Sequence, residues 1–478
     1  MRLRQLAKDS VIYGIGGAAV KGISFFLLPV YTRIFTPADY GTIEMMTVIV
    51  SLLTAFLVMG MDAAQSFYFF NQKENGAVSQ KIVVSAILQW RLIWGSAMVL
   101  LATMLAPLLN RWFFGGEISW VYFAVSFSGA LLATLMSQSV EIFRLLYRPW
   151  LYIGVSLINA ILAAALILLF VFVLGQGILG YFLGSALASL AVAAMGWYMV
   201  REYLDFSALH HQWWPRLVRF GAPLFPAGLA FYLMSTADRW FVQYYHGETA
   251  LGLYAVGARF SLIMSLAIEA FRTAWWPIAM DSMHSDDGPE TFRMIAQLFG
   301  GLGISAVVYL TFLSPWLVRG FTGPAFHDAW PIVGILAWQS LFYGFFLIGS
   351  AGMWKAEKTH ISAILMAVTG LLNLLLNYLW VPLYGGMGAA IATAVSYFIW
   401  IILSLLISER YWKVQFPFVV MTGQVTVGVF AVAWLTWHVK DLMQSAIVTH
   451  MVVLLLLAST LQYSAWQKIF KRCRGLFV

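Results

Sequence analysis

Five cations stand inside stretches of chain that are otherwise apolar: Lys21, Arg91, Arg239, Arg259 and Arg272. Three anions lie in the same kind of stretch: Glu44, Asp238 and Glu269. An ionised group at the centre of a membrane helix costs about 2.5–3.5 kcal/mol, so such residues must face a bundle interior or a wet cavity. Lysine and arginine both bind phosphate well. A buried surplus of two cations suits an anionic cargo and suits cationic drugs poorly. Lys21 sits in the middle of its run and shares a helical face with Gly14, Gly17, Ala18 and Ser24, a groove of small residues. Arg259 is similarly deep. Arg91 lies near Trp90 and Trp94, which prefer the interface, so snorkelling and a cavity-facing role both fit it. Lys21, Arg91 and Arg259 are the candidate substrate-binding cations.

A second set of charges falls near the outer ends of the apolar runs. Arg33, Asp39, Asp238 and Arg239 are candidates for an outer gate, because pairing and separating charges at the membrane edge costs little, roughly 0–1 kcal/mol. Asp238 and Arg239 point about 100° apart on a helix and need not pair with each other. Glu44 falls in the first turns of its run, where a helix N-terminus favours an anion; it is either structural or a coupling acid. Glu269 and Arg272, three apart, read as an intrahelical ion pair. Cys473 is the only cysteine, and there is no HExxH and no GxxxxGK[ST]. The expectation is no metal, no cofactor and no nucleotide hydrolysis. No loop exceeds about 20 residues, which leaves no room for a catalytic domain, so an enzyme is not expected.

The elements that must hold these charges follow from composition. The 478 residues are 62% hydrophobic and 10% charged, with a mean hydropathy of +0.83. A soluble domain carries roughly 45–50% apolar and about 25% charged residues. A soluble enzyme, a nucleic-acid binder and a disordered chain are therefore excluded. Runs of about 20 apolar residues mark crossing helices. Fourteen occur, near 10–31, 40–61, 84–109, 118–140, 151–173, 177–199, 220–243, 251–278, 293–314, 331–353, 361–381, 387–406, 416–438 and 445–463. Their length and continuity exclude a β-barrel. The first run lacks an A-x-A cleavage site and reads as a retained span, with no soluble domain before or after the membrane part.

Fourteen crossings from a cytoplasmic N-terminus place 19 of the 28 lysines and arginines on the cytoplasmic side, four outside and five within spans. That asymmetry supports both termini being cytoplasmic. The net charge of +8 is thus a topology signal, and no nucleic-acid partner is expected. Two regions also recur about 210 residues apart. Tyr40-Gly41-Thr42 matches Leu251-Gly252-Leu253, and Gly177-Ile-Leu-Gly180 matches Gly385-Gly-Met-Gly388. The expected fold is all-α and polytopic, two pseudo-repeated six-helix bundles (1–209 and 210–410) followed by two further helices and a basic tail (411–478). Repeated halves in transporters place substrate at their mutual interface.

The stretch Pro29-Val-Tyr-Thr-Arg33-Ile-Phe-Thr-Pro37-Ala-Asp-Tyr40-Gly41 resembles the junction of the first two helices in Wzx-type polysaccharide-biosynthesis flippases. Arg148-Pro-Trp-Leu-Tyr152 resembles their inner loop. Lys358-Thr359, Asn373, Asn377, Pro382, Gly385, Gly386, Gly388-Ala-Ala390 and Ala392-Thr393 resemble their eleventh and twelfth helices. These belong to the multidrug/oligosaccharidyl-lipid/polysaccharide exporter superfamily. The resemblance implies a cationic cavity between two bundles. It also implies movement of a polyprenyl-pyrophosphate-linked oligosaccharide to the outer leaflet of a bacterial inner membrane, for O-antigen, capsule or exopolysaccharide synthesis. Membrane lipid, a polymerase and glycosyltransferases are the implied partners. A lipid II flippase shares fourteen helices and a cationic cavity and stays open. A cation-coupled multidrug antiporter fits less well, having usually twelve helices and an acidic cavity. A non-transporting scaffold for a polysaccharide synthase is the remaining alternative.

Overall fold

The computed structural model describes residues 16–17, 19–20, 22–23, 25–72, 77–438 and 442–460. Among them the backbone is helical, with no strand. The chain folds as two compact units, Met1–Gly252 and Leu253–Val478.

The first unit contains α1 (Leu28–Ile34), α2 (Pro37–Val58), α3 (Met61–Asn71), α4 (Ala77–Met104), α5 (Ala106–Phe114), α6 (Trp120–Leu145), α7 (Pro149–Leu168), α8 (Gly177–Met199) and α9 (Trp214–Gly221). It also holds the first part of α10 (Phe225–Ser282). Local sequence starts these helices where expected. Thr36 caps α2 through a reciprocal capping box: its hydroxyl accepts from Asp39 N at 3.2 Å, and the Asp39 carboxylate accepts from Thr36 N at 3.0 Å. Pro37 at the first helical position costs nothing, because its missing N–H would have been unsatisfied anyway. The small-residue pattern Gly180-xxx-Gly184 on α8 meets the end of α7 backbone to backbone. A Cβ at Gly184 would lie 2.6 Å from Ile167 N, so only glycine permits that approach. Phe69, Val84, Phe143, Val155 and Val192 form a core that joins α3, α4, α6, α7 and α8.

The second unit contains the rest of α10, then α11 (Gly288–Phe321), α12 (Trp330–Gly349), α13 (Ala351–Lys355), α14 (Thr359–Tyr411), α15 (Phe418–His438) and α16 (Leu442–Thr460). Aromatic stacking ties α12 to α14, with the Phe346 and Trp400 rings 4.1 Å apart.

Eleven helical segments among the described residues are long and apolar enough to cross a membrane. Two of them, of 55 and 52 residues, exceed one crossing, since about 20 residues suffice. Each is interrupted by one glycine outside helical geometry, Gly247 (φ 75°) and Gly385 (φ 56°). Each therefore supplies two spans, as the runs on either side of 244–250 and 382–386 predict. The first expected run, near 10–31, is described only in part. The protein is an all-α, multi-pass membrane protein.

Candidate functional site

Among the described residues, the in-membrane charges of the first unit gather in two clusters. The first brings Glu44 of α2 to Asp238 and Arg239 of α10. Arg239 Nε donates to Glu44 Oε1 at 2.7 Å, and its Nη1 donates to Asp238 Oδ1 at 3.0 Å and to the Ser235 carbonyl at 3.2 Å. The side chains are 17%, 9% and 4% exposed for Arg239, Glu44 and Asp238. Adjacent positions do pair here, because the long arginine side chain folds back along its own turn. The Tyr232 hydroxyl donates to the Val48 carbonyl and ties the same two helices together.

Backbone approach reinforces this cluster. A Cβ at Gly41 would overlap the Glu248 carbonyl, and a Cβ at Gly252 would overlap the Pro37 carbonyl. Gly41 and Gly252, the two glycines aligned at the 211-residue offset in the sequence, thus lie reciprocally where two helix starts cross.

Arg33 and Asp39, the other expected gate charges, are engaged locally. Arg33 donates to the Pro29 carbonyl at 2.7 Å, and Asp39 caps α2. The structure therefore unites Glu44, Asp238 and Arg239 but gives Arg33 and Asp39 separate local partners.

The second cluster centres on Arg91 of α4, whose side chain is 1% exposed. Its Nη1 donates to the Thr134 carbonyl at 2.8 Å, and its Nη2 pairs with Asp62 of α3. Close by, Gln138 Nε2 donates to Gln65 Oε1 at 2.9 Å, and Glu141 pairs with Arg144. Asp62 was not foreseen as an in-membrane partner, because the second apolar run ends at residue 61. Instead the chain turns through left-handed Met59 and Gly60 and continues helically to Asn71. A signal was available: Asp62 and Arg91 both lie near the same end of consecutive antiparallel runs.

The second unit carries neutral polar groups. Asn377 Nδ2 donates to the carbonyl and to Oδ1 of Asn373, at 2.8 and 3.1 Å. Asn373 and Asn377 are 0% exposed and Thr393 is 1%. Among the described residues, Asn373 Nδ2, Asn377 Oδ1 and Thr393 Oγ1 have no hydrogen-bond partner. Asn377 and Thr393 lie on the two limbs of α14, on either side of Gly385. Their oxygens are the hard donors left over there, whereas no group of three or more His, Cys, Asp or Glu side chains converges for a metal among the described residues. Arg259 is half-buried, and Glu269 and Arg272 form the expected exposed pair. Lys21 and Cys473 lie outside the described residues.

Comparison with known proteins gives a consistent relation. A family model described as polysaccharide biosynthesis protein matches residues 6–283, and one described as MatE matches residues 223–379. A protein of the Lsg locus of Haemophilus influenzae is 25% identical over 281 residues, covering 58% of this chain and 66% of its own length. An uncharacterized membrane protein of the same organism is 24% identical over 283 residues, with the same coverage. The chain thus aligns with just under two thirds of each relative. Among solved structures, the lipid II flippase MurJ in its inward closed conformation superposes with a TM-score of 0.73 at 16% identity, over 93% of this chain and 98% of that one. An inward-facing multidrug resistance MATE family transporter of the MOP superfamily gives 0.67 at 14% identity, over 84% and 99%. At these identities the likeness is one of fold.

Proposed function

The chain belongs to the polysaccharide biosynthesis protein family, and from that membership we propose that it is a flippase. Its cargo is a polyprenyl-pyrophosphate-linked oligosaccharide, moved from the cytoplasmic to the outer leaflet of a bacterial inner membrane for surface-polysaccharide synthesis. The observation that carries this reading is the family match over residues 6–283 on a transporter fold. We assign anion recognition to Lys21 and Arg259, with Arg91 engaged by Asp62 in this state. With no nucleotide motif in the sequence, transport is assigned to alternating access of the 1–209 and 210–410 bundles, with 411–478 appended. Glu44, Asp238 and Arg239 form the outer gate, and the Gly41–Gly252 crossing supports that role. Both termini are cytoplasmic in this scheme. A polymerase and glycosyltransferases are the partners expected beside it.

The decisive test uses proteoliposomes containing a fluorescent polyprenyl-pyrophosphate disaccharide, with dithionite reporting the exposed leaflet. Protein-dependent loss of protected fluorescence is expected, along with its abolition by Lys21→Ala and Arg259→Ala at unchanged insertion. Equal rates with and without protein would overturn the flippase reading. The fold likeness to MurJ favours lipid II as the second cargo. Preference for a muropeptide-bearing lipid over the disaccharide lipid in the same assay would select it.

A further inference from the structure

We propose that the connection between α8 and α10 is a binding shelf for anionic phospholipid headgroups. Residues 200–213 are pinned across the first half of α4. Asp205 N donates to Ser85 Oγ at 2.7 Å, Gln89 Nε2 to the Ala208 carbonyl at 2.9 Å, and His210 N to Gln89 Oε1 at 2.8 Å. The Trp214 indole N–H donates to the Ala86 carbonyl at 3.1 Å. The connection is therefore a fixed surface and not a loose linker.

Helix α9 continues it. Leu217 is fully buried, and Phe220 stacks on Phe67 with centroids 4.6 Å apart. Leu217 packs with Met61, Ala64, Val83 and Trp90. With that face committed, Arg216 and Arg219, three residues apart, share the opposite, exposed face. Neither makes an ion pair among the described residues. The Arg216 guanidinium lies 5.6 Å from the Trp213 ring, which orients it without neutralising it. Phe206 and Leu209 of the pinned segment are 65% and 53% exposed.

Unpaired arginines on a rigid helix, beside tryptophan and exposed apolar side chains, stand immediately before a span. That combination is the chemistry of a headgroup layer: phosphates meet the guanidiniums while apolar side chains dip between the lipids. Charge complementarity therefore selects an acidic phospholipid as occupant. The inference needs only that the chain spans a membrane and does not depend on the cargo.

The test places a bimane at Gln212→Cys in a Cys473→Ser background, reconstituted in phosphatidylcholine vesicles containing phosphatidylglycerol. Quenching is compared when a doxyl label rides on phosphatidylglycerol or on phosphatidylcholine. A local preference for the anionic lipid of at least about five-fold is expected, the scale of one surface arginine, and more where Arg216 and Arg219 act together. It should fall to one in the double variant R216Q/R219Q and survive in R148Q, which removes an exposed arginine elsewhere. A ratio of one in the parent protein would leave the shelf to a protein partner and overturn the proposal. So would a ratio that survives the double substitution, or one lost equally in R148Q.

Discussion

Glu44, Arg91 and Asp238 are the charged side chains fully enclosed among the described residues, and all three lie in the first unit. The enclosed polar side chains of the second unit are Asn, Gln, Ser and Thr. The two units meet the same apolar solvent with different chemistry. A charge in a membrane requires a partner of opposite sign and loses heavily if that partner leaves. A neutral amide or hydroxyl finds substitutes more easily, and in membrane bundles such hydrogen bonds average about 0.6 kcal/mol. The first unit is thus built to be sensitive to the positions of a few groups, and the second to tolerate rearrangement. Within the first unit the two arginines differ again. Arg91 has one carboxylate and one carbonyl at 1% exposure, whereas Arg239 is shared between two carboxylates at 17%. An enclosed arginine with a single carboxylate partner is a weld. An arginine between two acids can shift its weight from one to the other.

The largest effect should come from breaking the weld. Asp62→Ala strands the Arg91 guanidinium and should destabilise the protein by about 3 kcal/mol, near the lower end of the range for orphaned buried charges, because the Asp62 side chain is 47% exposed. The thermal midpoint in detergent should fall accordingly. The double variant Asp62→Leu/Arg91→Met should recover most of the loss, since a well-packed apolar pair replaces an ion pair at little cost. A double variant as unstable as the single one would refute the ion-pair account.

Next is the shared arginine. Glu44→Gln keeps an oxygen within reach of Arg239 Nε, so stability should drop by only about 1 kcal/mol. Flipping in the dithionite assay should slow several-fold, because one of the two positions open to Arg239 loses its charge. An unchanged rate would make Glu44 a structural acid. A cross-link through Glu44→Cys and Arg239→Cys should stop flipping, and reduction should restore it to the rate of the uncross-linked pair.

Much of this contrast was legible in the sequence, for physical reasons that differ by residue. The spans declare themselves by length and hydropathy, and even the glycine-broken hairpins at Gly247 and Gly385 were separable, because polar and Pro/Gly residues punctuate them. Glu44, Asp238 and Arg239 stood out because charge is rare in such runs. Their union did not, since it joins positions 195 apart in sequence. Asp62 escaped because hydropathy fades at Gly60 while the helix resumes beyond it. Asn373 and Asn377 were visible as motif residues, but uncharged amides give no signal of burial.

For the second unit, Asn377→Ala should cost about 1 kcal/mol or less, because among the described residues its amide bonds only to Asn373 one turn back on the same helix, and side-chain hydrogen bonds within membrane bundles are worth little more. A loss as large as that of Asp62→Ala would erase the distinction between the units. Unfolding of both variants followed in the same detergent makes the comparison direct.

The smallest effect tests a charge of the first unit that lies outside the membrane. Asp205 accepts from Ser207 N at 2.9 Å and from Ser207 Oγ at 2.6 Å, and His210 Nε2 stands 3.3 Å from its other oxygen. The Ser207 hydrogen bonds are the main reason its carboxyl is held below the ordinary 3.8, with His210 adding to them. A group whose folded-state pKa is depressed contributes stability above its unfolded value and loses it as pH falls through the folded one. Protection of the 205–210 amides, measured by hydrogen exchange and corrected for intrinsic rates, should therefore be flat from neutral pH down to about 4 and should decline below it. Asp205→Asn should abolish that decline, while global unfolding stays unmoved, because water still reaches this half-buried carboxylate, screens it and supplies substitute partners. If the decline persisted in Asp205→Asn, the acid response would belong to other carboxylates. If global stability fell along with local protection, the pinned connection would be as deeply coupled to the bundle as Arg91, and the contrast between buried and exposed charge in the first unit would fail.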